Sequence, residues 1–177
     1  MELGISTACF FARMFVEDAV NAIADMDCKT LEVFLNTSSE YTDAFSGMLA
    51  ERIFARDLTA YSVHPMGSQF EAQLFSVYKR QRDDALEVYE RVLQAAKRLN
   101  ASVYVMHGPS AMRGALRNMP AEWVGAVTRD LCAMAKSYDI KLSWENVSWC
   151  LFSTPDFVNN ILDAAKTDDL YFTFDIK

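Results

Sequence analysis

The stretch VYVMHG at residues 103–108 is a short apolar run that ends in a histidine followed by a glycine. The stretch YSVHP at residues 61–65 has the same form, and these two runs hold the only two histidines of the 177-residue chain. Two later apolar runs end in carboxylates, KLSWEN at residues 141–146 and YFTFD at residues 171–175. Each run is typical of a buried β-strand. Four successive predicted strands therefore end on candidate metal ligands, which are His64, His107, Glu145 and Asp175.

The segments between these runs place apolar residues three and four positions apart, which predicts amphipathic helices. The longest helical pattern, over residues 76–100, carries its charged residues on the side opposite to the apolar stripe. Two further apolar runs near the start of the chain complete the predicted strands. The strands are predicted at residues 3–7, 30–35, 58–64, 102–106, 140–144 and 170–174, and the helices at 16–26, 45–54, 76–100, 121–138 and 154–166.

Strands and helices alternate without a linker or a low-complexity tract, so we expect one α/β domain over residues 1–177 with six parallel strands and five helices. Two architectures produce this alternation, an open doubly wound sheet and a (β/α)₈ barrel of the TIM type that is incomplete. The turn after the first strand, ACFF at residues 8–11, lacks the glycines of a dinucleotide-binding loop. The ligand-ended strands favour the barrel, because catalytic residues gather at the carboxyl ends of barrel strands.

Composition narrows the classes of function. The net charge is −7, which argues against a nucleic-acid partner because nucleic-acid binders usually carry a basic surface. No apolar stretch approaches the roughly 20 residues of a membrane helix. The chain begins with methionine and enters a predicted strand at once, so we expect no signal peptide and a cytoplasmic location. The four cysteines form no CxxC pair, which fits reduced thiols.

The ordered set of strand ends resembles the xylose isomerase-like TIM barrel superfamily, which contains sugar and sugar-phosphate isomerases and epimerases and the endonuclease IV group of AP endonucleases. The resemblance implies that Glu145 binds metal and moves a proton, and that Asp175 binds metal. It implies that His64 and His107 are metal ligands or line the substrate pocket. The superfamily barrel has eight strands, so we expect this domain to lack the last two strand-helix units and the metal ligands that they carry.

A divalent metal ion is the cofactor that these residues imply. Imidazole ligands suit zinc, manganese or cobalt, whereas carboxylates alone suit magnesium. The leading hypothesis is a metal-dependent sugar or sugar-phosphate isomerase or epimerase, with Glu145 as the catalytic base. One alternative is an AP endonuclease-like phosphodiesterase, and another is an inactive barrel fragment with a structural role. Because six strands leave two sheet edges unpaired, we expect a homo-oligomer.

Several further residues are candidates for a pocket that binds a small-molecule sugar or sugar phosphate. Glu32 interrupts an apolar strand, and it either faces the pocket or pairs with a neighbouring helix. Aromatic side chains could cover the apolar side of a sugar or belong to the core. Arginines in the loop after His107 could bind a phosphate or be solvated. The pocket candidates are Glu32, Phe10, Phe11, Trp144, Asn146, Arg113 and Arg117.

Overall fold

The computed structural model describes residues 3–109 and 119–176 of the chain. Within these residues it contains six strands, and all six strand predictions are confirmed, with each end at the predicted residue or one residue away. The second strand has the predicted bounds, and the third extends one residue further to include its proline. The strands are β1 (Gly4–Ser6), β2 (Thr30–Leu35), β3 (Thr59–Pro65), β4 (Val103–Met106), β5 (Lys141–Glu145) and β6 (Leu170–Thr173).

In the part of the chain that the structure describes, six α-helices lie between the strands, one more than the sequence predicted. The additional helix is a single turn of four residues, which is too short to show a helical repeat of apolar positions. The other five confirm the predicted helices. The helices are α1 (Val16–Asp25), α2 (Asp43–Ala55), α3 (Glu71–Leu74), α4 (Lys79–Arg98), α5 (Ala121–Ser137) and α6 (Asp156–Ala165). None of the helices within residues 3–109 and 119–176 is long and apolar enough to cross a membrane.

The strand order distinguishes between the two architectures. The six strands pair in chain order from β1 to β6, and every pair is parallel. A doubly wound sheet reverses its order at a switch point, whereas a barrel wall keeps the order of the chain. The fold is therefore an α/β fold of barrel type, and the open doubly wound alternative is wrong.

Four helices are followed by the same kind of turn, which connects each helix to the next strand. Two residues after α1, α2, α4 and α5 stands an Asp or Asn with a positive φ, between 53° and 62°. Asp and Asn tolerate this left-handed conformation better than other residues with a side chain. The next strand begins two or three residues later. The residues are Asp27, Asp57, Asn100 and Asp139.

Alternation along each strand divides the side chains between two environments. One set packs against the helices and forms the hydrophobic core, as Leu142 and Trp144 do on β5. The other set faces the concave side of the sheet, and it includes Ser143 and Glu145 on the same strand. Successive residues of a strand point to opposite faces, so the polar residues of the site and the apolar residues of the core are interleaved in the sequence.

Candidate metal centre

The carboxyl ends of the parallel strands surround a cavity of 470 Å³. All four predicted metal ligands line it, and so does Glu32. His64 is the last residue but one of β3, Glu145 ends β5, and His107 and Asp175 follow β4 and β6. These side chains are far apart in sequence and meet because parallel strands direct their carboxyl ends to one edge of the sheet.

A bulge in β3 turns His64 toward this cavity. Glu32 of β2 pairs with Ser62, whereas the residue before Glu32 pairs with Ala60, so Tyr61 is an extra residue in the strand. An extra residue reverses which face the following side chains occupy. Ala60 therefore packs in the hydrophobic core, while Ser62 and His64 lie on the concave side with Glu32.

Three of the four predicted ligands form a compact group. Nε2 of His107 lies 2.7 Å from Oε2 of Glu145, and Nε2 of His64 lies 3.9 Å from the same oxygen. One donor atom from each of the three residues lies within 4.8 Å of the others. Donor atoms bound to one zinc ion each lie about 2 Å from it, so this group needs only small shifts to share an ion. His64, His107 and Glu145 therefore constitute a candidate metal site.

The surroundings of His64 fit a metal ion. Its side chain is only 8% exposed, and its ring meets the ring of His107 at an angle of 78° with 4.5 Å between their centroids. Nε2 of His64 is buried and has no hydrogen-bond partner among the residues that the structure describes. Such an atom is unfavourable unless something binds it, because buried polar groups lose their water. A metal ion beside Glu145 and His107 would bind this nitrogen.

Glu32 supports His64 from the side away from Glu145. Oε2 of Glu32 lies 3.7 Å from Nδ1 of His64, and the hydroxyls of Ser6 and Ser62 donate hydrogen bonds to the same carboxylate at 2.7 and 3.4 Å. Burial acts to raise the pKa of Glu32, but the nearby His64 and the two serines lower it below its ordinary value. Glu32 thus faces the cavity and does not pair with a helix.

The contact between Glu32 and His64 also shifts the pKa of His64, which it raises. Burial acts to lower the pKa of this imidazole, but the carboxylate of Glu32 raises it, and so do Glu145 and Glu71. The pKa of His64 therefore lies above its ordinary value of 6.5. A carboxylate behind a histidine is a common arrangement at metal sites, because it fixes the ring orientation and increases the basicity of the ligand.

Glu71 is a residue of the site that the sequence analysis missed. It begins α3, is 1% exposed, and accepts hydrogen bonds from Tyr104 Oη and from the backbone N–H groups of His107 and Gly108, at 3.0 to 3.1 Å. Burial raises the pKa of its carboxyl, although His107 and His64 oppose this shift. In the sequence, Glu71 is a glutamate followed by Ala-Gln-Leu shortly after Pro65. This short pattern does not indicate that the side chain is buried or which groups it binds.

The predicted pocket residues occupy different places. Trp144 is fully buried on the core side of β5, where it packs against Phe75 and Phe157 and donates from Nε1 to the carbonyl oxygen of His107 at 2.8 Å. Phe10 is half-buried against the core, and Phe11 is mostly exposed. Arg113 and Arg117 lie outside the described residues.

Asn146 connects the ends of β5 and β6. Its side-chain oxygen accepts a hydrogen bond from the backbone N–H of Asp175 at 2.6 Å, and its amide donates to the Asp175 carbonyl oxygen at 2.9 Å. Asp175 lines the cavity, but it is not part of the three-residue group around Glu145. Asn146 therefore holds the main chain at the position where Asp175 enters the cavity.

The aromatic side chains at the cavity are Phe34 and Trp149, which the sequence analysis did not single out. The Phe34 ring packs edge to face on His64 with 5.0 Å between centroids, and Trp149 packs on His107 at 5.4 Å. Phe34 is two residues after Glu32 in β2, so the two side chains lie on the same face of the strand. Trp149 follows β5 in a loop, where strand parity gives no signal.

Solved structures with the same fold include sugar epimerases. A D-tagatose 3-epimerase-like protein superposes with a TM-score of 0.81 at 20% identity, and the alignment covers 99% of this chain and 65% of that one. D-Psicose 3-epimerase of Clostridium cellulolyticum H10, solved with D-tagatose, gives 0.78 at 14% identity, covering 98% and 63%. The IolI protein, solved with a zinc atom, gives 0.77 at 13%, covering 96% and 61%.

The chain thus spans less than two thirds of the length of these structures. At such identities the likeness shows the fold alone. A sequence search of curated proteins found no significant match. The sequence profile of one family, described as xylose isomerase-like TIM barrel, matches residues 20–177. The chain belongs to the xylose isomerase-like TIM barrel family.

Proposed function

We propose that the protein is a metal-dependent isomerase or epimerase that acts on a sugar or a sugar phosphate. The observation that carries the proposal is the group formed by His64, His107 and Glu145, in which the buried Nε2 of His64 has no hydrogen-bond partner among the described residues. The sugar epimerases among the structural neighbours support the substrate class.

Two imidazoles and a carboxylate suit zinc, manganese or cobalt better than magnesium, which prefers oxygen ligands alone. The zinc atom in the IolI structure agrees with this donor set. A bound divalent ion would polarise the hydroxyl and carbonyl oxygens of a hydroxycarbonyl sugar. Asp175 at the edge of the cavity would be a fourth ligand.

Glu145 is the residue that we propose to move the proton. Isomerisation and epimerisation both require a base beside the carbon that loses its proton, and a carboxylate in a site with little water serves this role. The Glu145 side chain is 15% exposed, and its Oε2 is 2.7 Å from the His107 ring. The neighbouring His107 would therefore limit the movement of the Glu145 side chain, whose carboxylate takes the proton and returns it.

The remaining residues of the cavity would bind and orient the sugar. Phe34 and Trp149 offer apolar surfaces on two sides, and Glu32 offers a carboxylate that can accept hydrogen bonds from sugar hydroxyls. Glu32 is 27% exposed, so it reaches the cavity while it still supports His64. Apolar walls beside polar groups that fix the orientation of a ligand are typical of small-molecule sites.

The test combines metal content with proton exchange. The tag-free protein is loaded with manganese, cobalt or zinc, and its metal content is measured by plasma mass spectrometry. Ketohexoses and their phosphates are then incubated with it in D₂O, and NMR follows the entry of deuterium at the carbon next to the carbonyl group. We expect about one ion per chain, as one group of ligands implies, and deuterium entry with at least one sugar.

Glu145→Gln removes the charge of the proposed base and ligand, and Glu51→Gln on the exposed face of α2 is the matched control. We expect Glu145→Gln to lose both the metal and the deuterium exchange, while Glu51→Gln keeps both. Metal binding and exchange that survive in Glu145→Gln would overturn the proposal. A protein that binds none of the three metals would instead act as a barrel scaffold without this chemistry.

A further inference from the structure

We propose that Glu71 is a positioning residue that fixes the main chain of His107 and thereby aims its imidazole at Glu145. The inference rests on the proposed function, because it assigns a task within that site. Oε2 of Glu71 accepts hydrogen bonds from two consecutive backbone N–H groups, those of His107 at 3.0 Å and Gly108 at 3.1 Å. Oε1 accepts from the Tyr104 hydroxyl at 3.1 Å.

The His107 peptide unit is held from the other side as well. The indole N–H of Trp144 donates to the His107 carbonyl oxygen at 2.8 Å. The backbone N–H and the carbonyl oxygen of His107 therefore each have a buried side-chain partner, Glu71 from α3 and Trp144 from β5. Between these partners the chain turns through Gly108, which has φ +74° and lies so close to the Trp144 ring that a Cβ would overlap with it.

The Glu71 carboxylate lies against Gly67, where a residue with a side chain would not fit. A Cβ built on Gly67 would overlap with all three atoms of the Glu71 carboxyl group, so only glycine fits at position 67 without moving them. Gly67 lies in the turn between the end of β3 and α3, directly after the segment that carries His64. The link through Glu71 thus connects the turn after the His64 strand to the main chain of His107.

A carboxylate buried to this degree is costly unless its hydrogen bonds repay the lost hydration. A purely structural side chain at this position could be apolar, as its neighbours Leu74 and Phe75 are. Two of the three hydrogen bonds that Glu71 accepts instead come from His107, a proposed metal ligand, and from Gly108 next to it. Partners of this kind tune metal affinity by fixing the direction of the ligand.

Four variants test the proposal. Glu71→Leu removes the acceptors at similar volume, and Gly67→Ala displaces the carboxylate without changing Glu71. Glu71→Gln keeps an oxygen that can accept from both backbone N–H groups, so it is the conservative rescue. Val20→Ala, at a buried residue of α1, is a control for general loss of packing. Hydrogen exchange of the His107 and Gly108 amides is measured by NMR, and the cobalt dissociation constant is measured from the visible spectrum of the cobalt-loaded protein.

In Glu71→Leu and Gly67→Ala we expect both amides to exchange about tenfold faster or more, because they lose their buried acceptor. We expect cobalt affinity to fall about 10- to 100-fold, with an altered cobalt spectrum. Glu71→Gln should restore the amide protection and most of the affinity, and Val20→Ala should lower thermal stability without either effect. If Glu71→Leu does not fold, Gly67→Ala and Glu71→Gln still decide the question.

Unchanged exchange of the two amides in Gly67→Ala, or equal effects of Glu71→Gln and Glu71→Leu, would overturn the proposal. The amide measurement needs no metal. A wild-type protein that binds no cobalt would therefore contradict the proposed function, while the exchange rates still report whether Glu71 holds His107. Lost affinity with normal amide exchange would also overturn the proposal, because Glu71 would then act in another way.

Discussion

His107 and Glu145 lie side by side because their strands are in register. Met106 of β4 pairs with Trp144 of β5, and the next residue along each strand is a proposed ligand. The register therefore places the imidazole and the carboxylate at one level, with 2.7 Å between Nε2 and Oε2. His64 approaches the same oxygen from β3 and is more deeply buried. The register of the sheet thus brings two residues of the candidate metal site together.

Metal binding should weaken as the pH falls, because a protonated imidazole cannot bind a metal ion. Burial lowers the pKa of His64, but Glu32 and then Glu145 raise it above 6.5, so the loss of affinity begins at a higher pH than for an ordinary histidine. Glu32→Gln removes the largest raising influence. We expect its midpoint of metal binding to lie at a lower pH than in the wild type.

At high pH, where His64 is neutral in both proteins, Glu32→Gln should bind metal about tenfold more weakly because the ring has lost its carboxylate partner. Titration of zinc affinity against pH measures both effects, and Glu51→Gln on the exposed face of α2 serves as the control. A midpoint that stays in place or moves to higher pH would show that Glu32 does not raise the pKa of His64.

The sequence was sufficient to predict the strands, the long helices and the strand ends that line the cavity. These features follow from local apolar patterns and from the parallel geometry that the alternation of strands and helices imposes. The alternation of side chains along a strand also limits where Trp144 can lie. Trp144 precedes Glu145 on β5, and adjacent residues face opposite sides of a sheet, so one of them faces the cavity and the other the core.

Other parts of the site could not be read from the sequence. The extra residue Tyr61 in β3 reverses the faces of the residues after it, and no local pattern marks this bulge. Glu71 lies in a helix too short to show a periodic pattern, and its partners on β4 and directly after it are more than 30 residues away. Trp149 reaches the cavity from a loop whose path depends on contacts with distant parts of the chain.

Trp149 should contribute to substrate affinity and little to the chemical step, because it forms a wall of the cavity beside His107. Contacts between two aromatic rings are worth about 0.5–1.5 kcal/mol, and we take the same scale for the contact between Trp149 and the sugar. We expect Trp149→Ala to raise KM for the sugar about two- to tenfold with kcat nearly unchanged. Steady-state kinetics separate the two constants. Tyr171→Ala changes an aromatic residue on β6 that packs on Lys141, and it should leave KM unchanged.

A fall in kcat without a change in KM for Trp149→Ala would contradict this role and would indicate that the tryptophan orients the reacting groups. Loss of metal in the variant would contradict it in another way, because the contact between Trp149 and His107 would then support the ligand. Metal content is therefore measured on the same samples.

Asp175 and Asn146 can be separated by two substitutions. The Asn146 side chain forms its two hydrogen bonds with main-chain atoms of Asp175, so Asp175→Asn should keep these hydrogen bonds and the stability of the protein. If Asp175 is a ligand, Asp175→Asn should weaken metal binding. Asn146→Ala should weaken it too and should also cost about 1–3 kcal/mol of unfolding free energy, because it removes two hydrogen bonds. Asp163→Asn on the exposed face of α6 is the control.

Metal affinity and urea denaturation are the two measurements for this comparison. Normal metal affinity in Asp175→Asn would remove Asp175 from the ligand set. The site would then consist of His64, His107 and Glu145 with water in the open positions, which is the arrangement of many catalytic zinc sites.

Two helical glycines should respond to the same substitution in opposite directions. Gly47 lies in α2, and a Cβ there would meet no atom within 4 Å, so Gly47→Ala should stabilise the protein by about 0.5–1 kcal/mol through the better helix propensity of alanine. Gly125 lies in α5, where a Cβ would overlap with the main chain of Ala164 in α6. Gly125→Ala should therefore destabilise by about 1–3 kcal/mol, as overpacking does.

Urea denaturation of both variants measures the difference, and each serves as the control for the other because the chemical change is identical. The overlap at Gly125 involves backbone atoms, which cannot rotate away, so α6 must move as a unit. Since Ala164 belongs to the helix that leads into β6, we expect Gly125→Ala also to weaken metal binding if Asp175 is a ligand. Equal stability of the two variants would show that the two helices separate without cost and that the close approach of α5 and α6 does not constrain the site.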